Sequence, residues 1–277
     1  MADLTVTQTL YNMEFTTAYE QKESWLRGTV STKGEVNGES FVFIIESTAD
    51  VAVERGANGN IPYANDDQSS TTCTLKEYHH LARKNRFKIF SSSVPQRESM
   101  ARRGVVSINN KTDQLIIDQM ETATYQTNSG SAAANSLALM LEAKAILDAN
   151  YVPDDGERYG LLTPKAMAQA MRINQFTSAD WVPDKPYMKT VQWRNWMGIK
   201  WAMHPNLPTK GTSSASCFIY HKLAIGHALN KGDLQTKIGE NEEHDYSWAR
   251  ASSYQGSKAL QLAGIVELLH DDTAALS

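Results

Sequence analysis

The sequence predicts an α+β fold organised around one long helix. Three observations carry that reading. Residues from about Pro95 to Ala123 repeat apolar side chains at three- and four-residue steps, Ser40–Ser47 is a β-rich run, and Thr163-Pro164 opens a capped helix directly after a short strand. The chain has 277 residues, 27 Lys+Arg against 31 Asp+Glu, and two Cys. That length suits one large domain or two interlocked ones with a real core. The longest apolar runs, Phe41–Ile45 and Leu137–Leu141, are too short to span a bilayer, so no membrane partner is expected. Asp3, Glu14, Glu20 and Glu23 stand where a signal peptide would need an apolar stretch behind positive charge. Two Cys, at 73 and 217, cannot form a disulfide framework and fit a reducing compartment. The net charge of −4 argues against a dedicated nucleic-acid-binding domain.

The elements follow in order. Residues 4–26 place Val6, Leu10, Met13 and Ala18 at rough helical spacing and end in Trp25-Leu26, which reads as an amphipathic arm closed by Gly28. Residues 29–75 read as a two-stranded finger. Phe41–Ile45 is apolar on both faces, Arg55–Pro62 has turn chemistry, Ala64–Ser70 is polar, and Thr71–Leu75 returns as a second strand. An isolated hairpin is marginal in water, so what its own domain leaves uncovered a neighbouring copy must cover.

Ser93 is placed to cap the long helix, with Pro95 in its first turn. Ala101, Val105, Ile108, Leu115 and Met120, with Ile116 beside them, form its stripe, and its length is roughly 40 Å. Gly104 is the expected bend, and Arg97, Arg102 and Arg103 fall largely off the stripe. A second helix is predicted over Ser131–Asn150, with Leu137, Leu141 and Ala145 on one side, then a strand at Arg158–Leu162 and a helix from Pro164 to about Arg172. Thr190–His204 alternates as extended chain with a turn at Gly198, Cys217–Tyr220 reads as a buried strand, and His221–Leu229 as a short helix. Tyr246–Tyr254 alternates as a strand and Gly264–His270 is the last one, giving a mixed sheet with helices packed on it.

Charge is unevenly spread. Nine basic and two acidic residues lie between Lys76 and Lys111, a tract of +7, which leaves 18 − 29 = −11 for the rest. Such a strip is either a solvated helix face or a surface that meets acidic chain or packaged polyanion on another molecule.

Chemical motifs are sparse. His221 and His227 are six apart, the wrong spacing for one helical face, and neither Cys has a CxxC neighbour, so no metal site is expected. Neither the dinucleotide glycine fingerprint nor the phosphate-binding Walker loop occurs, and there is no G-x-S-x-G elbow. Trp193, Trp196 and Trp201 fit aromatic packing rather than a base-stacking platform. No catalytic residue, metal or cofactor is assigned.

The order of elements resembles the major capsid proteins of tailed phages with the Hong Kong 97-like fold, whose parts are the N-arm, the E-loop β-hairpin, the P-domain with its long spine helix and the A-domain with a mixed sheet. Local stretches carry the resemblance: Gln21–Arg27, Pro95-Gln96-Arg97 with Thr112-Asp113, Arg158-Tyr159 with Leu161–Pro164, Met197–Trp201 with Pro205–Pro208, and Cys217–Ala228. It covers nearly the whole chain. It implies an arm over 1–28, an E-loop over 29–75, a P-domain over 76–190, a mainly A-domain stretch over 191–258, and a final strand and tail over 259–277. It further implies a non-enzymatic shell subunit that forms hexamers and pentamers in an icosahedral head around packaged double-stranded DNA, made in the host cytoplasm and resident in the virion. Partners would be other copies, a portal protein, possible decoration proteins and, because the chain starts at the arm, a separate scaffolding protein. Some relatives cross-link covalently through an E-loop lysine; Arg55–Ser70 has none, so that chemistry is not expected. Contacts between copies are expected at Trp25, Arg27, Phe41, Phe43, Ile45, Arg55, Arg97, Arg102 and Arg103. Two other readings stay open: a nanocompartment (encapsulin-like) shell around an enzyme cargo, and a hydrolase or transferase with an unrecognised site.

Overall fold

The structure, a computed structural model, describes residues 23–46, 52, 54–61, 68–91, 96–127, 134–173, 193–230, 232 and 234–275. The predicted arm up to residue 22, the Ser93 cap and Pro95 lie outside the described residues.

A six-stranded mixed sheet holds the main core. Its order is β5 (Tyr125–Thr127), β13 (Ile265–His270), β9 (Ala215–His221), β6 (Arg158–Leu162), β8 (Ile199–Met203) and β7 (Arg194–Trp196). β6 runs parallel to β8 and antiparallel to β9, and every residue of β6 and β9 is buried. These central strands are covered on both faces, which is why they read as unbroken apolar runs. Among the covering elements, α3 (Leu137–Ala149) buries Leu139, Met140, Ala143 and Leu147, and α4 (Pro164–Ala170) buries Ala166, Met167 and Ala170. Ser136 caps the first and Thr163 the second, each accepting the backbone N–H three residues on. Arg158 is fully buried at the start of β6, where its guanidinium donates to Asp148 (2.6 Å) and to the Pro153 carbonyl (3.0 Å), fastening the end of α3.

The second sheet is built on β12 (Tyr246–Ala259). One edge pairs with β4 (Lys76–Asn85); the other pairs first with β11 (Gln235–Asn241) and then with β10 (Ile225–Asn230), which β1 (Ser31–Val36) joins in parallel. The long helix α2 (Gln96–Met120) lies across β12. Its buried row recurs every fourth residue, Met100, Gly104, Ile108, Thr112, Ile116 and Met120. Ala101, Val105 and Leu115 of the predicted stripe are only half-buried. Gly104 is no bend. A Cβ there would sit 2.9 Å from the Ala251 Cβ of β12, so the glycine lets helix and strand backbones approach.

One sequence expectation is corrected, and two strands had no sequence signal. His221–Leu229 is not a helix: His221 accepts the Leu223 N–H and caps a single 3₁₀ turn, Lys222–Ala224, after which the chain enters β10. β10 is buried on both faces, so it shows no period by which strand and helix could be told apart. β4 was unread because its inward residues, Tyr78, His80, Ala82 and Lys84, are mostly polar-tipped. β11 went unread as well.

The finger exists as an antiparallel pair of β2 (Ser40–Glu46) and β3 (Gln68–Thr74), with Phe43 opposite Thr71. Its lower part is seated on the second sheet. The Phe43 ring occupies the space a Cβ at Gly226 would fill, and the Thr74 carbonyl does the same at Gly256.

The end of the predicted arm is pinned to α2 by one carboxylate. Asp113, 2% exposed, accepts from Ser24 Oγ (2.5 Å) and from the backbone N–H groups of Trp25 (3.1 Å) and Leu26 (3.2 Å), with His204 Nε2 at 3.6 Å. Burial pushes this carboxyl up, but the donors from His204, Ser24, Trp25 and Leu26 together outweigh it and hold it below its ordinary value.

Two predictions follow from this packing. Gly104→Leu should gain helix propensity yet lose about 1–3 kcal/mol through overpacking against Ala251, so a higher melting temperature would refute the close contact. A carboxyl with a depressed folded pKa stabilises above its unfolded value and loses that contribution as pH falls through the folded one. Asp113→Asn should therefore cost about 2–3 kcal/mol at neutral pH, and denaturant titrations should show the gap between variant and parent closing on acidification below about pH 4. A gap constant with pH would remove the ionised carboxylate from the account.

Candidate assembly surface

The cysteine-centred arrangement that resembles a catalytic constellation is sealed. Cys217 Sγ lies 3.6 Å from His270 Nδ1, and His270 Nε2 is 2.8 Å from Asp272 Oδ1, the order of nucleophile, base and carboxylate. Yet Cys217 is 1% exposed, and burial pushes its thiol up to about 12, so it is no thiolate at neutral pH. The other contacts show what the cluster does. Thr163 Oγ1 donates to Asp272 (2.7 Å) while accepting from Ala166 N (3.1 Å), and Asp272 also accepts from Gly211 N (2.7 Å). The end of the chain is locked to the cap of α4 and to the turn before β9. Burial raises Asp272, but donors from Gly211, Thr163 and His270 more than compensate and lower it. Burial likewise raises the Cys73 thiol. Among the described residues no three His, Cys, Asp or Glu side chains gather as a metal site, and no described helix is long and apolar enough to cross a membrane.

What the molecule does present is uncovered apolar surface on the finger. Strand alternation turns Phe41, Phe43 and Ile45 toward one face and Val42 and Ile44 toward the other. On the first face Phe43 is buried with Val36, Cys73 and Ala228 of its own chain, and Phe41 meets it edge-on at 4.8 Å between ring centroids. On the second, Ile44 is 70% exposed and Val42 about half; further out Ile61 is 75% exposed. A soluble monomer has no reason to hold a strip of this kind in water on a projecting element.

The residues singled out in the sequence are thus divided. Trp25 is half-buried, its ring edge-on to His204 at 5.9 Å, and Arg27 is half-buried beside it. Phe43 is taken up inside the chain, Phe41 and Ile45 are half-buried, and Arg55 is exposed on the outer finger. Arg97 forms an ion pair with Glu240 of the same chain, while Arg102 and Arg103 are exposed. Val42, Ile44 and the pair Phe87 and Phe90 of α1 (Arg86–Phe90) were not singled out. Five consecutive apolar residues in 41–45 hide which alternate set faces outward, and a lone apolar pair in basic chain gives no periodic signal.

Comparison with known proteins supplies the rest. The family model for "Phage capsid protein" matches residues 4–272. No curated protein matches the chain. Among solved structures it is similar to one from Mycobacterium phage Che8 (16% identity, TM-score 0.68, covering 92% of this chain and 94% of that one). It is also similar to the head structure of Helicobacter pylori bacteriophage KHP40 (11%, 0.71, 93% of each), and to the capsid of a native GTA particle (13%, 0.69, 96% and 98%). At these identities the likeness carries the fold. The family match extends over nearly the whole sequence, and with it the chain belongs to the phage capsid protein family.

Proposed function

We propose that the chain is the major subunit of a tailed-phage head, joining copies head-to-tail into pentamers and hexamers that close as an icosahedral shell around packaged double-stranded DNA. The observation that carries this reading is the finger: anchored below by Phe43 on its own sheet, it holds Val42, Ile44 and Ile61 exposed, with none of the described residues of its own chain covering them. A second copy can cover that strip, and the arm and finger, as N-arm and E-loop, would each reach one neighbour. Interfaces of obligate assemblies run above about 2,000 Å², and a projecting finger adds to the surface that a body alone can offer. The role is structural and non-enzymatic. A scaffolding protein, a portal protein and decoration proteins complete the expected partners, with the virion as the final location and the host cytoplasm as the place of assembly.

The experiment is assembly. Ile44→Glu, and separately deletion of Gly56–Asp67, should leave folded subunits with unchanged circular dichroism that fail to form closed shells in negative-stain micrographs. Normal particles from both variants would overturn the role of the finger.

A further inference from the structure

The basic tract is only partly compensated by the fold. Arg97 pairs with Glu240 and Arg86 with Asp245 (3.6 Å), while Arg83 stands over the Tyr246 ring (5.2 Å) and Lys111 over that of Tyr78 (5.5 Å). Among the described residues Lys84, Lys88, Arg102 and Arg103 have no carboxylate partner; Lys84 donates to the neutral Gln96.

Lys84, Lys88 and Arg103 edge a groove. A hollow of 720 Å³ lies between β4 and α2, with Lys84, Arg103 and His80 on its walls and Met100 and Val106, both buried, at its base. A second hollow of 520 Å³ shares Lys84 and continues past Arg83 to Lys88 on α1. No acidic residue lines either one. Two buried polar atoms in the first, His80 Nδ1 and Asn110 Oδ1, have no hydrogen-bond partner among the described residues. Where Lys88 leads out of the groove, α1 presents Phe87 at 72% and Phe90 at 87% exposure, held by a rigid cap in which Asn85 Oδ1 accepts the Phe87 N–H at 2.8 Å.

The chemistry narrows the occupant. A symmetric contact of this face with itself would bring Lys84, Lys88 and Arg103 against their own copies, which like charges oppose. The acidic turn Glu240–Asp245 cannot readily serve from a second copy, because its end residues already pair with Arg97 and Arg86 at home. Duplex phosphates would answer the cations but would leave Phe87 and Phe90 uncovered. We propose that this groove docks an acidic segment of a second, different protein, one that also carries apolar side chains to cover the α1 phenylalanines. The site is separate from the finger, so it stands or falls independently of how the finger joins copies.

The test is binding by the full-length, unassembled subunit, read by fluorescence anisotropy. The probe is a labelled synthetic amphipathic peptide of glutamate and leucine, compared with the same peptide carrying lysine for glutamate, a peptide copying residues 46–67 of this chain, and a short DNA duplex. The acidic peptide should bind. Lys84→Glu/Arg103→Glu should weaken it by about tenfold or more, with the thermal unfolding curve unmoved. Lys88→Glu, on an exposed side chain with no ion-pair or hydrogen-bond partner among the described residues, should weaken it too and reads the same loss if the double variant fails to fold. No binding, binding indifferent to both variants, or preference for the lysine peptide would overturn the proposal. So would equal or tighter binding of the 46–67 peptide lost in the same variants, which would give the groove to a neighbouring copy's finger, or the same result with the duplex, which would give it to DNA.

Discussion

β12 is hydrogen-bonded on both edges, and the placement of nearly every other functional part depends on that pairing. Along Tyr246–Gln255 it takes β4 on one side, and on the other it takes β11 and then β10. Chain from before the long helix and chain from near the C-terminus are thereby fixed against a single strand. α2 lies on it closely enough that Gly104 meets Ala251. β10, held by β12, supplies Gly226 beneath the Phe43 ring, so the direction of the finger is set from the same strand. A strand paired on both edges also exposes no free ladder of its own; the open edges pass to shorter or charged strands, of which β4 is the most basic.

The finger illustrates a balance between order and availability. A free two-stranded hairpin is marginal in water, and a hairpin folded wholly onto its body would have nothing to offer a neighbour. Here the division runs along strand alternation itself. Odd residues of β2 meet the sheet, and even residues do not. Phe43 and Cys73 pack with Val36 and Ala228, so the base is ordered before any second copy arrives. Val42 and Ile44 lie on a pre-positioned surface, which lowers the entropy that association must overcome.

How much of this was legible depended on whether a residue's neighbours along the chain decide its environment. α2 was legible as a helix because apolar side chains at three- and four-residue steps mark one wherever they occur, but its buried row was only partly read, since Gly104 and Thr112 belong to it and Ala101, Val105 and Leu115 do not. The step from β6 to α4 was legible because Thr163-Pro164 is local cap chemistry. β10 was misread as helix because it is small and buried all round, and what makes it a strand is pairing with β1 and β12. β4 was missed because an edge strand facing a helix with Tyr, His, Ala and Lys shows no apolar alternation. The outward set of the finger was hidden for a related reason. Phe41–Ile45 is apolar at every position, and Gly226, far along the chain, decides which side is covered. Gly104 was visible as an anomaly, but its cause was a tight contact and not a bend.

The Cys217–His270–Asp272 cluster shows why geometry without solvation is a poor guide to chemistry. Distances alone would allow a nucleophile, its base and an orienting carboxylate. A thiol raised to about 12 and cut off from solvent carries no appreciable anion, and no substrate carbonyl could reach it. The same polar atoms are fully accounted for as a fastening: His270 ends β13, Asp272 grips Gly211, and Thr163 is shared between that carboxylate and the cap of α4. Gly211 takes a positive φ of 77° in the turn that precedes β9, so the carboxylate fixes a bend as well as a strand end. In a subunit whose outer parts are to be pulled on by neighbours, buried hydrogen bonds that tie the last strand to the middle of the chain keep that load from fraying the sheet at its end.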